Sequence, residues 1–84
     1  MGKSQVYWMD AHSNSTETSL VSKMLTVFDE AKLDQMVKPN DVVAIKVHCG
    51  EWNNSAYLRP VYARTLADRI KELGGRPFVC DTTT

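Results

Sequence analysis

The run Val42-Val43-Ala44-Ile45-Lys46-Val47 constrains the fold more than any other stretch of the chain. It is apolar at almost every position and mostly β-branched, which favours extended backbone and disfavours helix. A half-exposed antiparallel strand would alternate apolar with polar residues, and this run does not. It therefore predicts a strand covered on both faces, as in the interior of a parallel sheet. Lys38-Pro39-Asn40-Asp41 precedes it and has the composition of a turn.

The flanking sequence supplies what a parallel sheet needs. Val6-Tyr7-Trp8-Met9 predicts a first strand, ended by the loop-like Asp10-Ala11-His12-Ser13-Asn14-Ser15. Asn14 and Glu17 have capping-box spacing, which predicts a helix start there. Leu20, Val21, Met24, Leu25, Phe28 and Ala31 then recur on one helical face, with Ser19, Ser22, Lys23, Thr26, Asp29 and Glu30 on the other. A second helix is predicted from Pro60, which suits a first turn. Its apolar face is Tyr62, Ala63, Leu66, Ala67, Ile70 and Leu73, while Arg64, Asp68, Lys71 and Glu72 face water. Gly74-Gly75 supplies a left-handed stop. After Pro77, Phe78-Val79-Cys80 predicts a third strand. Strand, helix, strand, helix, strand implies an α/β fold, a β-α-β-α-β open parallel sheet of Rossmann-like character. With 84 residues the chain is read as a single unit, 1–84, with one modest core. Such a sheet has two bare edges, which predicts either a truncated piece of a larger domain or a homo-oligomer that covers them.

Composition excludes several function classes. Ten basic residues balance ten acidic ones, so there is no positive field to hold a phosphate backbone, and nucleic acid is not an expected partner. No apolar run approaches the roughly 20 residues of a membrane span, and Met1-Gly2-Lys3-Ser4-Gln5 lacks an apolar signal core. The expected compartment is the cytoplasm, with no membrane partner. Cys49 and Cys80 are then expected as free thiols, and two cysteines cannot supply the four ligands of a cubane iron–sulfur cluster.

In open parallel sheets, ligands sit beyond the carboxyl ends of the strands. All three predicted strands end there in polar chemistry: Asp10 and His12, then His48, Cys49 and Glu51, then Asp81, Thr82, Thr83 and Thr84. Lys46 is the one charge inside the second strand, on the same face as His48 by alternation, and it can pair with Asp81 or hold an anion. The connection from His48 to Arg59 exceeds the usual span of about 2–6 residues. It carries Trp52, Asn53, Asn54, Ser55, Tyr57 and Arg59, an aromatic surface with amide donors and a guanidinium fork for carboxylate or phosphate. Lone Gly50 does not make a phosphate-cradling glycine motif. The expected ligand-binding set is Lys46, His48, Glu51, Tyr57, Arg59, Asp81 and Thr82, receiving a small anionic molecule. A divalent metal held by His12, His48 and Asp81 is a second reading, since imidazole and carboxylate suit zinc, iron or nickel; it would make the chain part of a metal-dependent enzyme. A third is a structural or assembly module, in which these histidines are hydrogen-bonded loop residues.

Three stretches carry a family resemblance: Val43 to Glu51, Tyr57-Leu58-Arg59-Pro60, and Gly74 to Thr82. Together they resemble a widespread prokaryotic family known as a domain of unknown function, whose members often carry a ferredoxin-type iron–sulfur domain further along. Many relatives have an aromatic residue where this chain has Cys49. The resemblance implies the amino-terminal portion of a larger α/β domain, a natural sequence continuing past Thr84, and iron–sulfur clusters, if any, in a downstream domain. It implies no specific reaction.

Overall fold

The computed structural model describes residues 3–15, 19–48, 50, 52, 53, 55 and 57–82. Helix α1 spans Leu20–Glu30, a short 3-10 turn follows at Leu33–Gln35, strand β1 is Val42–Lys46, helix α2 is Pro60–Glu72, and strand β2 is Arg76–Cys80. The two strands pair in parallel, with Val42 opposite Arg76 and Lys46 opposite Cys80. The ladder runs past both ends: the Arg76 N–H donates to the Asp41 carbonyl at 2.7 Å, and the Val47 N–H donates to the Cys80 carbonyl at 3.1 Å. The architecture is thus α/β with a parallel β-α-β unit, as expected from the apolar run, the proline and the glycine pair.

Local chemistry explains the element ends. Ser19, in extended conformation, caps α1 by accepting from the Ser22 N–H at 3.2 Å. The helix therefore starts later than the Asn14 spacing predicts; Glu17, the other half of that capping box, lies outside the described residues. Pro60 takes the first position of α2 and Arg59 before it is extended, as a residue preceding proline must be. Gly74 ends α2 at φ +90°, and its N–H and that of Gly75 return to the carbonyls of Lys71 and Ile70. Gly75 answers a different need, because a Cβ there would lie 2.8 Å from Ile70 Cγ2 and 2.9 Å from Val37 Cγ1.

Two expectations are corrected. Val6–Met9 form no strand: among the described residues the sheet has two strands, and this segment instead borders a hollow with Thr26, Val27 and Glu30 of α1. The cause is a competing anchor. The buried Lys23 ammonium hydrogen-bonds the Asp10 carboxylate, the Asp10 carbonyl and the His12 carbonyl, which ties the end of the segment to the helix. Lys23, expected on the water side of α1, is covered by that contact; it lies one turn from both Leu20 and Val27 and so borders the apolar stripe. The second correction concerns β1, expected to be covered on both faces. Ile45 is buried and Val43 half-buried, whereas Val42, Ala44 and Lys46 are exposed. α2 packs on both strands and α1 packs on α2, and Met24 of α1 reaches the same cleft as Ile45 and Val79. Both helices thus cover one face, and the core is small, centred on Phe28, Ile45 and Ile70.

Candidate functional site

Because β1 and β2 are parallel and in register to their last residues, both release the chain at the same rim of the sheet. Lys46 closes β1, His48 follows two residues later, and Asp81 follows β2 directly. Their side chains meet. Lys46 Nζ is 3.1 Å from Asp81 Oδ1, and His48 Nδ1 is 3.8 Å from Asp81 Oδ2. The second distance is an electrostatic approach rather than a hydrogen bond. The Thr82 backbone N–H donates to Asp81 Oδ1 at 2.8 Å, so one oxygen of this carboxylate is fixed by an amide and an ammonium together. The Asp81 side chain is 19% exposed, against 58% for Lys46 and 45% for His48. The carboxylate sits beneath two cationic or basic groups that face solvent.

Beside this cluster opens a cleft of about 480 Å³. Ile45 and Val79 form its floor, Leu66 and Met24 its helical wall, and Tyr57, Leu58 and Arg59 its outer lip. Lys46, His48 and Arg64 also line it, and no Asp or Glu does so among the described residues. The lip is held by Gly50. At φ +114° its backbone occupies a region open to glycine, and a Cβ would lie 3.0 Å from Tyr57 Cε1. The Tyr57 ring thus packs on the bare Cα of Gly50. Arg59 is the residue before α2, makes no side-chain cap there, and no acidic residue occupies the first turn. Positive partial charge at that helix end is therefore not neutralised by its own sequence.

Of the expected ligand-binding set, the structure brings Lys46, His48, Asp81 and Thr82 into one cluster, with Tyr57 and Arg59 on the adjoining cleft. Glu51 lies outside the described residues, as do Cys49, Asn54, Thr83 and Thr84. His12 is placed elsewhere. Its N–H donates to Asp10 Oδ1 at 3.3 Å and its carbonyl accepts from Lys23. The Lys23 hydrogen bond and charge, with that His12 N–H, hold the Asp10 carboxyl below its usual range. Among the described residues no group of three or more His, Cys, Asp or Glu side chains is arranged to hold a metal ion. In the sequence, Met24, Ile45, Leu66 and Val79 of the cleft read as ordinary core, and Arg64 as solvated.

A parallel β-α-β unit with a charged cluster and a cleft at its strand ends defines the chain as an α/β protein. Residues 43–84, half of the chain, match the family described as Domain of unknown function (DUF362). The chain belongs to that family. The match covers β1 from Val43 onward, α2, β2 and every residue of the cluster and outer lip. Comparison with curated proteins found no match, and comparison with solved structures found none. No helix among the described residues is long and apolar enough to cross a membrane.

Proposed function

We propose that this rim binds a small anionic ligand, within a longer cytoplasmic protein whose chemistry is associated with iron–sulfur redox centres. The observation that carries the binding site is that Lys46, His48 and Arg59 all line one cleft and no described carboxylate does. A guanidinium fork and an ammonium are the donor types that hold carboxylate or phosphate. The iron–sulfur association rests on the likeness of residues 43–51, 57–60 and 74–82 to proteins that carry ferredoxin-type domains, and the clusters belong to sequence beyond this chain. Reading the natural sequence downstream for cysteine spacing tests it, and the absence of a cluster motif there would remove it.

The binding site is tested by a thermal screen with acetate, succinate and phosphate. Ligand at about ten times its dissociation constant adds roughly 1.4 kcal/mol to stability, which raises the unfolding midpoint of a domain this size by about 6–11 °C. The parent should show such a rise with one of these anions, and His48→Ala and Arg59→Ala should each abolish it. If neither substitution changes the response, the anion reading is wrong.

A further inference from the structure

The cleft beside the charged cluster is larger and more apolar than a simple anion requires. Its volume, about 480 Å³, falls within the range of sites that bury small organic molecules, roughly 300–1,000 Å³. Its cationic lining residues are Lys46 at the end of β1, Arg59 just before α2, and exposed Arg64 on α2, which also approaches Asp68. Its apolar lining includes Ile45, Val79, Leu66 and Met24. Val79, a sheet residue on the face that both helices cover, is still 49% exposed, because it forms the floor of the opening. An inorganic anion held by Arg59 and Lys46 would leave that floor wet. A ligand with an apolar body would displace the water there, which is favourable in proportion to the apolar area covered.

We propose that the ligand of this cleft is an amphiphilic organic anion, with a carboxylate between Arg59 and Lys46 and an apolar chain or ring on Ile45, Leu66 and Val79. The proposal rests on the anion-binding reading and adds the chemical class. Charge complementarity selects the head group, since the described lining includes Lys46 and Arg59, and Asp81, which pairs with Lys46, does not itself line the cleft. The Tyr57 ring, seated on Gly50, gives the outer lip a flat apolar surface against which the body of the ligand packs.

The test is a matched series, octanoate, acetate, phosphate and octan-1-ol, titrated into the full chain and followed through the methyl resonances of Ile45, Leu66 and Val79. Each methylene that is fully buried tightens binding about fourfold; with half of that free energy for each of the six extra methylenes, octanoate binds roughly 60-fold tighter than acetate. Octan-1-ol, which lacks the charge, binds at least about tenfold more weakly than octanoate, and Arg59→Gln narrows that gap while leaving the alcohol unaffected. Acetate or phosphate binding as tightly as octanoate overturns the amphiphile and leaves the anion site standing. Octan-1-ol binding as tightly as octanoate overturns the anionic head and marks the cleft as a plain apolar contact surface. No binding of any of the four at millimolar concentration overturns both readings.

Discussion

Gly75 offers a sharp test of the packing that positions β2, and with it Asp81. Its backbone is not in the left-handed region, so alanine fits its dihedral angles and any cost is steric. An added methyl would lie 2.8 Å from Ile70 Cγ2, 2.9 Å from Val37 Cγ1 and 3.3 Å from the Ile70 carbonyl. Ile70 is 2% exposed and held in the small core, so it has little room to withdraw. Overpacking of this kind costs about 1–3 kcal/mol, offset by about 0.4–1 kcal/mol from the stiffer unfolded chain. Gly75→Ala should therefore destabilise by roughly 1–2 kcal/mol net. Val37→Ala removes one of the two clashing methyls. Alone it costs about 1 kcal/mol, since Val37 is half-buried and each methyl is worth about 0.8 kcal/mol when fully buried. Combined, the two substitutions should cost less than their sum by about 0.5–1 kcal/mol, because the new methyl occupies space that Val37 vacates. Urea unfolding followed by far-ultraviolet circular dichroism measures all four proteins, with a constant slope as the check that the unfolded state is unchanged. A Gly75→Ala protein as stable as the parent, or strictly additive costs, would refute the close approach of Gly75, just before β2, to Ile70 of α2 and to Val37.

Further outcomes follow from the same contacts. Asp10 is held below its ordinary value of about 3.9 by Lys23, so the unfolded chain binds the proton more readily; the stabilisation is present above that value and lost as pH falls through the lower folded value. A nuclear magnetic resonance titration should place the Asp10 midpoint below 3.9 in the parent and back near it in Lys23→Met, and equal midpoints would remove the anchor. Gly50→Ala strains the backbone and pushes on Tyr57, so it should weaken octanoate binding several-fold with little change in unfolding midpoint; unchanged affinity would separate the outer lip from the site. Asp81→Asn removes the carboxylate 3.1 Å from Lys46, and a freed charge near the cleft is worth up to about 1 kcal/mol in water. Anion affinity should rise by up to roughly fivefold, and a fall would mean that Asp81 positions Lys46 rather than competes for it.

What could be read from the residues, and what could not, divides along local and long-range physics. The strand at Val42–Lys46, the proline entry of α2 and the glycine exit at Gly74 are each set by dihedral preference within a few residues, and each was legible. The cluster was legible for a second reason: parallel pairing with ends in register brings residues that follow two strands to one rim, so Lys46, His48 and Asp81 meet without any motif among them. Val6–Met9 has equally good strand chemistry, yet its place is decided by Lys23, an ammonium that gathers a carboxylate and two carbonyls from residues 11–13 positions away along the chain. Periodicity assigned Lys23 to water because a helical wheel records spacing within α1 and nothing about what crosses it.

The cleft was hidden for a related reason. Ile45, Leu66 and Val79 show the apolar pattern of core residues, and that pattern says only that each prefers to leave water, not whether its neighbours close over it. Whether such a face is sealed depends on where the helices lie. Here both cover one face of the sheet, and the Tyr57 ring at the cleft's lip packs on Gly50. An apolar wall is then left open beside cationic side chains at the strand ends, which is the arrangement an amphiphilic anion requires. On the proposed reading, charge at the rim selects the head of the ligand and the uncovered floor selects its body; neither alone would distinguish this site from an ordinary surface ion cluster or an ordinary core.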